Sequence, residues 1–218
     1  MIGTHPVHHS HELDIDVALD FVDTAALERG RLVDHLASVG DAIDWLEQHD
    51  LVHHPTDPEL AAFRAGGSDG EEALRRMRSV RDALGEVVRS VVERRSTDPR
   101  ALDEVNRALA ARQRLVVVSG DGDLVLGHRH DGDPLDEVLG RIAEQVARIA
   151  TGHDAERLRI CANDTCRWVF YDSSPTRRRR WCDMASCGNR AKAARHRARH
   201  RASGTPREAT PPLPTDST

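Results

Sequence analysis

The chain has 218 residues, of which 39% are apolar, and carries a formal net charge of −5. This size corresponds to about one large or two small domains, with enough apolar residues for a core in at least one of them. The sequence has no run of about 18 apolar residues, which excludes a membrane-spanning helix, and its first residues lack a secretory signal pattern. We therefore expect a cytoplasmic protein without a membrane partner.

The N-terminal part begins with a segment of low complexity. Residues 1–12 contain four histidines among Pro, Gly and Ser, and we expect a flexible arm. The apolar pattern of residues 13–26 fits a strand and a helix about equally well, so both alternatives remain open. Asp41 is the predicted N-cap of a short helix that buries Trp45, and residues 49–58 are predicted to form a loop.

Three longer helices are predicted after this loop. Glycines at residues 66–70 mark a break, and the apolar residues of 74–91 then recur every three or four positions, as on one face of a long helix. Asp98 precedes Pro99 and Asp133 precedes Pro134, and each pair supplies an N-cap and a first-turn proline. Helices are therefore predicted to begin at both prolines.

A β-hairpin is predicted between the last two of these helices. Two short apolar runs, residues 115–118 and 124–126, flank a turn that is rich in Gly and Asp. The predicted fold of residues 13–152 is thus a mainly α-helical domain that contains one β-hairpin.

The last third of the chain holds its four cysteines in a C-x4-C-x15-C-x4-C frame. In a reducing compartment such a frame favours metal ligation over disulfides, and two close pairs can wrap one tetrahedral Zn(II). Four thiolates leave no open coordination position, so we expect a structural ion, one per chain. The predicted ligands are Cys161, Cys166, Cys182 and Cys187.

Charge is distributed unevenly along the chain. Residues 1–155 hold 17 arginines and 30 acidic residues, a net charge of −13, whereas residues 156–201 hold 13 basic and 4 acidic residues, a net charge of +9. A basic excess on one short module is typical of proteins that bind phosphate groups.

The basic residues fall in two groups. An Ala- and Arg-rich stretch after Cys187 is predicted to form a helix, and a run of four arginines precedes Trp181. We predict a small zinc module over residues 156–202 that ends in this basic helix, followed by a disordered tail over residues 203–218. The predicted nucleic-acid contacts are Arg177, Arg178, Arg179, Arg180, Arg190, Lys192, Arg195, Arg197, Arg199 and Arg201.

The cysteine frame is accompanied by a recognisable motif. Cys161-x4-Cys166-x-Trp168-x-Phe170, and then Arg180-Trp181-Cys182-x4-Cys187-Gly188-Asn189-Arg190-Ala191-Lys192, resemble the CGNR zinc finger over residues 158–201. The resemblance implies that the four cysteines ligate Zn(II). It also implies that Asn189 and Arg190 either cap or orient the helix or reach the nucleic acid.

The N-terminal part resembles the ABATE domain, which usually precedes this finger and is associated with stress-induced transcriptional regulation in bacteria. The resemblance rests on Ala18-Leu19-Asp20-Phe21-Val22-Asp23-Thr24 and on Trp45-Leu46, with Asp23 where the family commonly has Asn. It implies a mostly helical domain that receives a small-molecule or protein effector. Asp20, Asp23, Thr24 and Trp45 are then candidate ligand contacts or family-motif residues.

Three classes of function are compared on these grounds. The leading hypothesis is a regulator whose N-terminal domain senses or interacts while the finger binds DNA. An RNA-binding or ribosome-associated zinc protein is the alternative, because arginines bind the phosphates of both nucleic acids. An enzyme is not expected, since the sequence has no nucleophile–base motif, no Gly-rich phosphate loop and no HExxH motif.

Overall fold

The computed structural model describes residues 13–52, 54, 56–118, 122–130 and 132–203. The predicted flexible arm, the predicted tail beyond Ser203 and most of the predicted hairpin turn lie outside these residues. Contacts divide the chain into two compact units, Met1–Cys182 and Asp183–Thr218. This division falls within the predicted zinc module, directly after its third cysteine, Cys182.

The described residues are mostly helical, as predicted. The helices are α1 (Ile15–Asp23), α2 (Val39–Gln48), α3 (Ala61–Ala65), α4 (Gly67–Glu93), α5 (Pro99–Ala110), α6 (Pro134–Thr151) and α7 (Asn189–Ser203). Among the described residues, none of these helices combines the length and the apolar character that crossing a bilayer requires.

Three antiparallel strand pairs accompany the helices. They are β1 (Ala25–Glu28) with β2 (Arg31–Asp34), β3 (Arg112–Val118) with β4 (Leu124–His130), and β5 (Leu158–Ile160) with β6 (Val169–Tyr171). The β3–β4 pair is the predicted hairpin, with longer strands than the sequence indicated. The other two pairs were not predicted, because their strands are only three or four residues long.

Helix α4 forms the centre of the apolar core of the first unit. Its buried side chains include Leu74, Met77, Leu84 and Val88, all at most 1% exposed. Successive members of this set are three, seven and four residues apart, so they lie on one face of the helix, as the sequence predicted. Helices α1, α5 and α6 pack against α4 and complete the core.

Helix α1 settles the alternative that the sequence left open for residues 13–26. Asp14 caps the helix, because its carboxylate accepts a hydrogen bond from the Asp16 amide at 2.9 Å. Ala18 and Phe21 are fully buried, at the three-residue spacing of a helix face. A strand follows only from Ala25, so the helical alternative is right for most of the segment.

Two predicted helix boundaries are wrong. Helix α2 is capped by Ser38 and not by Asp41, which lies three residues later and completes a capping box. The Asp41 amide donates to Ser38 Oγ at 3.2 Å, and the Ser38 amide donates to Asp41 Oδ2 at 2.8 Å. Helix α4 begins at Gly67, so the predicted glycine break is confined to Gly66 and Gly67, whose φ values of 69° and 54° favour glycine.

Arginine–carboxylate pairs connect the elements around this core. Arg81 on α4 is 4% exposed and bonds to Asp34 at the end of β2, with 2.6 Å between Nη1 and Oδ1. Burial raises the pKa of Asp34, but the hydrogen bonds from Arg81 and the Leu36 amide, together with the charges of Arg81 and Arg78, lower the pKa overall. Arg112 on β3 likewise bonds to Glu137 on α6, with 2.7 Å between Nε and Oε1. The buried guanidinium groups of Arg81 and Arg112 therefore each have a carboxylate partner that is partly exposed.

Candidate metal centre, basic helix and acidic cavity

The short β5–β6 pair positions the first two cysteines. Ile160 pairs with Val169, and beyond this pair the Cys161 amide donates to the Trp168 carbonyl at 2.7 Å. The Cys166 amide donates to the Asn163 carbonyl at 2.8 Å, which closes a tight turn between the two cysteines. Both thiols are thereby turned to one end of the strand pair.

Hydrogen bonds between side chains and the backbone hold the residues around the second cysteine pair. Arg179 donates from Nη2 to the Cys182 carbonyl at 2.6 Å. In the second unit, Asp183 caps a helical turn over Met184–Gly188, because its carboxylate accepts a hydrogen bond from the Ser186 amide at 2.6 Å. Cys187 lies in this turn, and helix α7 begins two residues later, at Asn189.

The four cysteines form a candidate metal site. Their Sγ atoms all lie within 4.8 Å of one another, and none of them is in a disulfide. Zn–S bonds of about 2.3 Å place the sulfurs of a tetrahedral site about 3.8 Å apart. Cys166 Sγ and Cys182 Sγ are 3.7 Å apart, so their spacing fits a tetrahedral thiolate site.

Electrostatics at this cluster favour a cation. Burial raises the pKa of the Cys182 thiol, and the neighbouring Cys161 and Cys166 raise it further. A divalent cation at the centre reverses this effect, because it stabilises the thiolates directly. Arg190 on α7 also donates from Nη2 to Cys187 Sγ at 3.4 Å, which disperses negative charge on that sulfur.

Asp172 organises the loop that carries the arginine run. This carboxylate is fully buried and accepts hydrogen bonds from the Ser174 amide at 3.0 Å, from Ser174 Oγ at 2.6 Å and from the Arg179 amide at 2.8 Å. Burial raises its pKa, but the hydrogen bonds from Ser174 and Arg179 outweigh burial and lower the pKa overall. The loop therefore depends on an ionised aspartate.

The predicted arginine run divides into two pairs. Arg177 forms an ion pair with Glu156, and Arg179 lies over the Phe170 ring, 5.0 Å from its centroid, while it bonds to the Cys182 carbonyl. Arg178 and Arg180 are exposed. Arg177 and Arg179 thus have polar contacts within the module, whereas Arg178 and Arg180 present their charge to solvent, with the Arg180 guanidinium 5.4 Å from the centroid of the Trp181 ring.

Helix α7 carries the remaining basic candidates, up to Arg201. Asn189 donates from Nδ2 to the Ala185 carbonyl at 3.0 Å, so its amide joins the helix to the preceding turn. Further along the helix, exposed basic side chains follow one another every two or three residues. They are Lys192, Arg195, Arg197 and Arg199.

The four candidate residues of the N-terminal part lie together. Asp20, Asp23, Thr24 and Trp45 all line one cavity of about 340 Å³ in the first unit. The sequence analysis did not assign the other lining residues to this site, because none of them falls within the two ABATE motif segments, residues 18–24 and 45–46. They are Glu28, His35, Asp41, Asp44, Gln48 and Trp168.

Hydrogen bonds orient one wall of this cavity. Trp45 donates from Nε1 to Asp20 Oδ2 at 3.0 Å, and His49 Nε2 lies 2.9 Å from the same oxygen. The Trp45 ring packs against Phe21 and His49, with centroids 5.0 Å and 4.6 Å away. This wall is therefore held rigidly by α1 and α2.

Asp23 forms the floor of the cavity and reaches the cysteine module. It is 4% exposed, and its Oδ1 accepts a hydrogen bond from the Val169 amide of β6 at 3.0 Å. Burial raises the pKa of Asp23 well above its ordinary value, against the smaller lowering effects of the Val169 amide and of Arg89.

Comparison with known families assigns both parts of the chain. A family model described as CGNR zinc finger matches residues 157–200, and the ABATE model, described as "Putative stress-induced transcription regulator", matches residues 16–153. Neither description is that of an enzyme class, and a search of the curated proteins found no match. Since the ABATE model matches more than half of the residues, the chain belongs to the ABATE family and carries a CGNR zinc finger after that domain.

Proposed function

We propose that this protein is a cytoplasmic, non-enzymatic transcriptional regulator whose zinc finger binds DNA and whose ABATE domain responds to an effector. The observation that carries the proposal is the row of exposed basic side chains on α7, directly after the last cysteine. A cationic helix on a metal-binding module is a common means of binding the DNA backbone and major groove. The regulator description of the ABATE family supports the same interpretation.

One Zn(II) per chain is the proposed ion of the cysteine site. Four sulfur donors at tetrahedral spacing suit Zn(II), and no ligand position is left for water or substrate. When bound, the ion cross-links its four ligands and so supplies folding energy to loops that are too short to bury a core. Arg190 and Asn189 are proposed to orient the start of α7, through Cys187 Sγ and the Ala185 carbonyl.

The geometry of α7 suggests which side chains meet the DNA. Its 15 residues span about 22 Å, enough to lie along one major-groove segment. Lys192, Arg195 and Arg199 are spaced by three and four residues and therefore share one face of the helix. We propose this face for the groove, because arginines there can form bidentate contacts to guanine. Arg197 lies on the opposite side and, with Arg201 further along the chain, is proposed to contact flanking phosphates.

The exposed pair of the arginine run is proposed as a second phosphate contact. Arg178 and Arg180 present their charge to solvent, whereas Arg177 and Arg179 are held by Glu156 and by the Cys182 carbonyl. The last two are therefore assigned to positioning of the loop and not to direct binding.

The test is DNA binding by the full-length protein to a duplex selected from a random pool, measured by fluorescence anisotropy at several salt concentrations. The logarithm of the affinity should fall linearly with the logarithm of the salt concentration. Arg195→Ala should weaken binding and reduce that slope by about one. Arg100→Ala, which removes an exposed arginine from α5, is the matched control and should change neither quantity.

Two outcomes contradict the proposal. Equal losses for Arg195→Ala and Arg100→Ala contradict the assignment to α7, because they indicate that overall charge alone matters. Displacement of the duplex by single-stranded RNA of equal length at a lower concentration favours the alternative, an RNA-binding or ribosome-associated protein.

A further inference from the structure

Two histidines lie side by side on helix α7. His196 and His200 are four residues apart, which places them on one face of the helix, one turn from each other. Their ring centroids are 4.3 Å apart, and their Nε2 atoms are 3.1 Å apart. Both residues are exposed. The pair therefore brings two ring nitrogens together on an exposed helix face, apart from the four-cysteine cluster.

The distance between the two nitrogens matches the distance between neighbouring ligands of one metal ion. With metal–nitrogen bonds of about 2.0–2.1 Å, two ligand atoms are about 2.9 Å apart at right angles and about 3.3 Å apart at the tetrahedral angle. The observed 3.1 Å lies between these values. Imidazole is a preferred ligand of Ni(II), Cu(II) and Zn(II). Two rings on one helix also bind as a chelate, because the second ring is already in place when the first has bound.

The same distance fits a hydrogen bond in which one ring donates to the other. In that arrangement the accepting Nε2 directs a lone pair at its neighbour. A metal ion takes the place of the shared proton and binds the lone pairs of both rings. The two rings are thus already arranged as a metal ion requires, and little side-chain freedom remains to be lost on binding.

The charges around the pair affect when an ion binds. His196 is four residues from Lys192 and three from Arg199, so the pair adjoins the face of α7 that is proposed for the DNA groove. These basic side chains repel a divalent ion in the free protein, although salt screens the repulsion at an exposed site. DNA phosphates reverse the local sign of charge, and their oxygens are donors for the coordination positions that two histidines leave open.

We propose that His196 and His200 form a second metal site, which binds a divalent transition-metal ion of the Ni(II), Cu(II) and Zn(II) class through the two Nε2 atoms. Unlike the four-cysteine site, this site is open, because two ligands leave further coordination positions for water or another donor. Two imidazoles bind more weakly than four thiolates, so dialysed protein keeps only the ion at its cysteines. Binding to the free protein is independent of DNA, whereas completion of the coordination by a DNA phosphate rests on the proposed function.

The test titrates Ni(II) into the zinc-loaded, full-length protein by calorimetry without DNA, at about pH 7.5 because a protonated imidazole does not ligate. The four histidines of residues 1–12 are changed to Asn in every protein used, since they are further imidazole ligands. They are His5, His8, His9 and His11. One Ni(II) per chain should bind with a micromolar dissociation constant. Zinc content by mass spectrometry, before and after the titration, should stay constant.

Three variants locate the site. His196→Gln and His200→Gln each remove one ring and introduce a good helix former, so α7 is retained. Each should weaken Ni(II) binding about 100-fold, because the chelate is lost. His153→Gln removes an exposed histidine outside α7 and should leave the affinity unchanged. Broadening of amide NMR signals by paramagnetic Ni(II) should be centred on the second half of α7.

Addition of the selected DNA duplex tests the role of phosphate. The affinity for Ni(II) should rise about fivefold or more when the duplex is bound, and by linkage the affinity for the duplex should rise by the same factor. An unchanged affinity for Ni(II) on the bound duplex overturns completion of the site by phosphate.

The outcomes separate the metal site from the proposed function. Absence of Ni(II) binding below millimolar concentration overturns the site and leaves a hydrogen bond between the two rings. Equal affinities of the His196→Gln and His153→Gln proteins also overturn it, as does Ni(II) binding that displaces zinc one for one. A protein that binds Ni(II) through this pair and fails to bind DNA keeps the metal site and contradicts only the DNA-binding function.

Discussion

The helical region and the cysteine module are stabilised in different ways. The helical region buries a continuous core, in which α4 alone contributes Leu74, Met77, Leu84 and Val88. The module contributes Leu158 and Val169 of its three-residue strands to this core, and its other parts have the four-cysteine cluster and the hydrogen bonds of Asp172. Loss of one contact weakens a core gradually, whereas a metal site fails as a whole when one ligand is lost.

The largest effect is expected for Cys182→Ser. Removing one of four ligands should abolish metal binding and unfold the module, a loss on the order of 10 kcal/mol of metal-derived folding energy. Metal content by mass spectrometry should fall to zero, and amide exchange should become fast in β5 and β6 while α4 stays protected. Ser173→Ala, an exposed change in the same module, is the control. Retained metal and unchanged exchange would contradict the difference between the two regions.

The converse change is Leu84→Ala in the core of α4. Leu84 is fully buried, and its truncation should lower the free energy of unfolding by about 3 kcal/mol. Urea unfolding followed by circular dichroism measures this loss, and the metal content of the folded protein should stay at one ion per chain. Leu102→Ala is the matched control, because Leu102 is 43% exposed. Equal losses for the two variants would show that α4 does not form the core.

A smaller effect is expected for Asp172→Asn. The amide cannot replace the charge-assisted hydrogen bonds of the carboxylate, so the module should lose about 2 kcal/mol. The pKa of Asp172 is lowered from its ordinary value of 3.8, so its stabilisation is complete above that value and is lost as the pH falls through the folded-state pKa. The difference between wild type and variant should therefore be constant from about pH 6 to pH 8.

Amide exchange of Arg179 and Ser174 measures this difference. Asp164→Asn, an exposed change between the first two cysteines, should leave their exchange unchanged. An Asp172→Asn protein with wild-type exchange at these amides would show that the loop does not need the charge.

The smallest change in the free energy of unfolding is expected for Asp23→Asn. Unlike the other substitutions, it should stabilise the protein. The pKa of Asp23 is raised by burial above 3.8, so the folded state holds its proton more tightly and stability falls as the pH rises towards the folded-state pKa. Asparagine can still accept the Val169 hydrogen bond and has no charge to bury. The variant should be more stable than wild type by about 1 kcal/mol at neutral pH.

Urea unfolding at pH 5 and pH 8 tests the sign for Asp23→Asn. The advantage of the variant should be larger at pH 8 than at pH 5. A variant less stable than wild type at pH 8 would mean that the charge is compensated within the fold.

Local sequence signals predicted much of the helical region. The Asp98–Pro99 and Asp133–Pro134 pairs mark the starts of α5 and α6, because capping and proline geometry depend on adjacent residues only. The cysteine frame and the basic helix were also recognised, since both are contiguous patterns. Asp41 was misassigned because a capping box places a side chain suited to N-capping at both Ser38 and Asp41, and only the extended backbone of Ser38 identifies the N-cap.

Features that join distant residues could not be predicted in this way. The β1–β2 hairpin turns at Arg29 and Gly30, both with positive φ, but its strands carry no alternating apolar pattern. The cavity combines residues of α1 and α2 with Trp168, and its charge becomes apparent only when the chain is folded. The family motif indicated four of its residues without indicating that they share a cavity.

The hydrogen bond from the Val169 amide to Asp23 joins residues 146 positions apart in the sequence. A finger excised from its ABATE domain leaves that amide in β6 without its acceptor, at a cost of about 1–3 kcal/mol if the amide stays buried. We therefore expect the finger to be less stable when it is fused to an unrelated protein. Strand β6 keeps this hydrogen bond only when the finger and the ABATE domain are in the same chain.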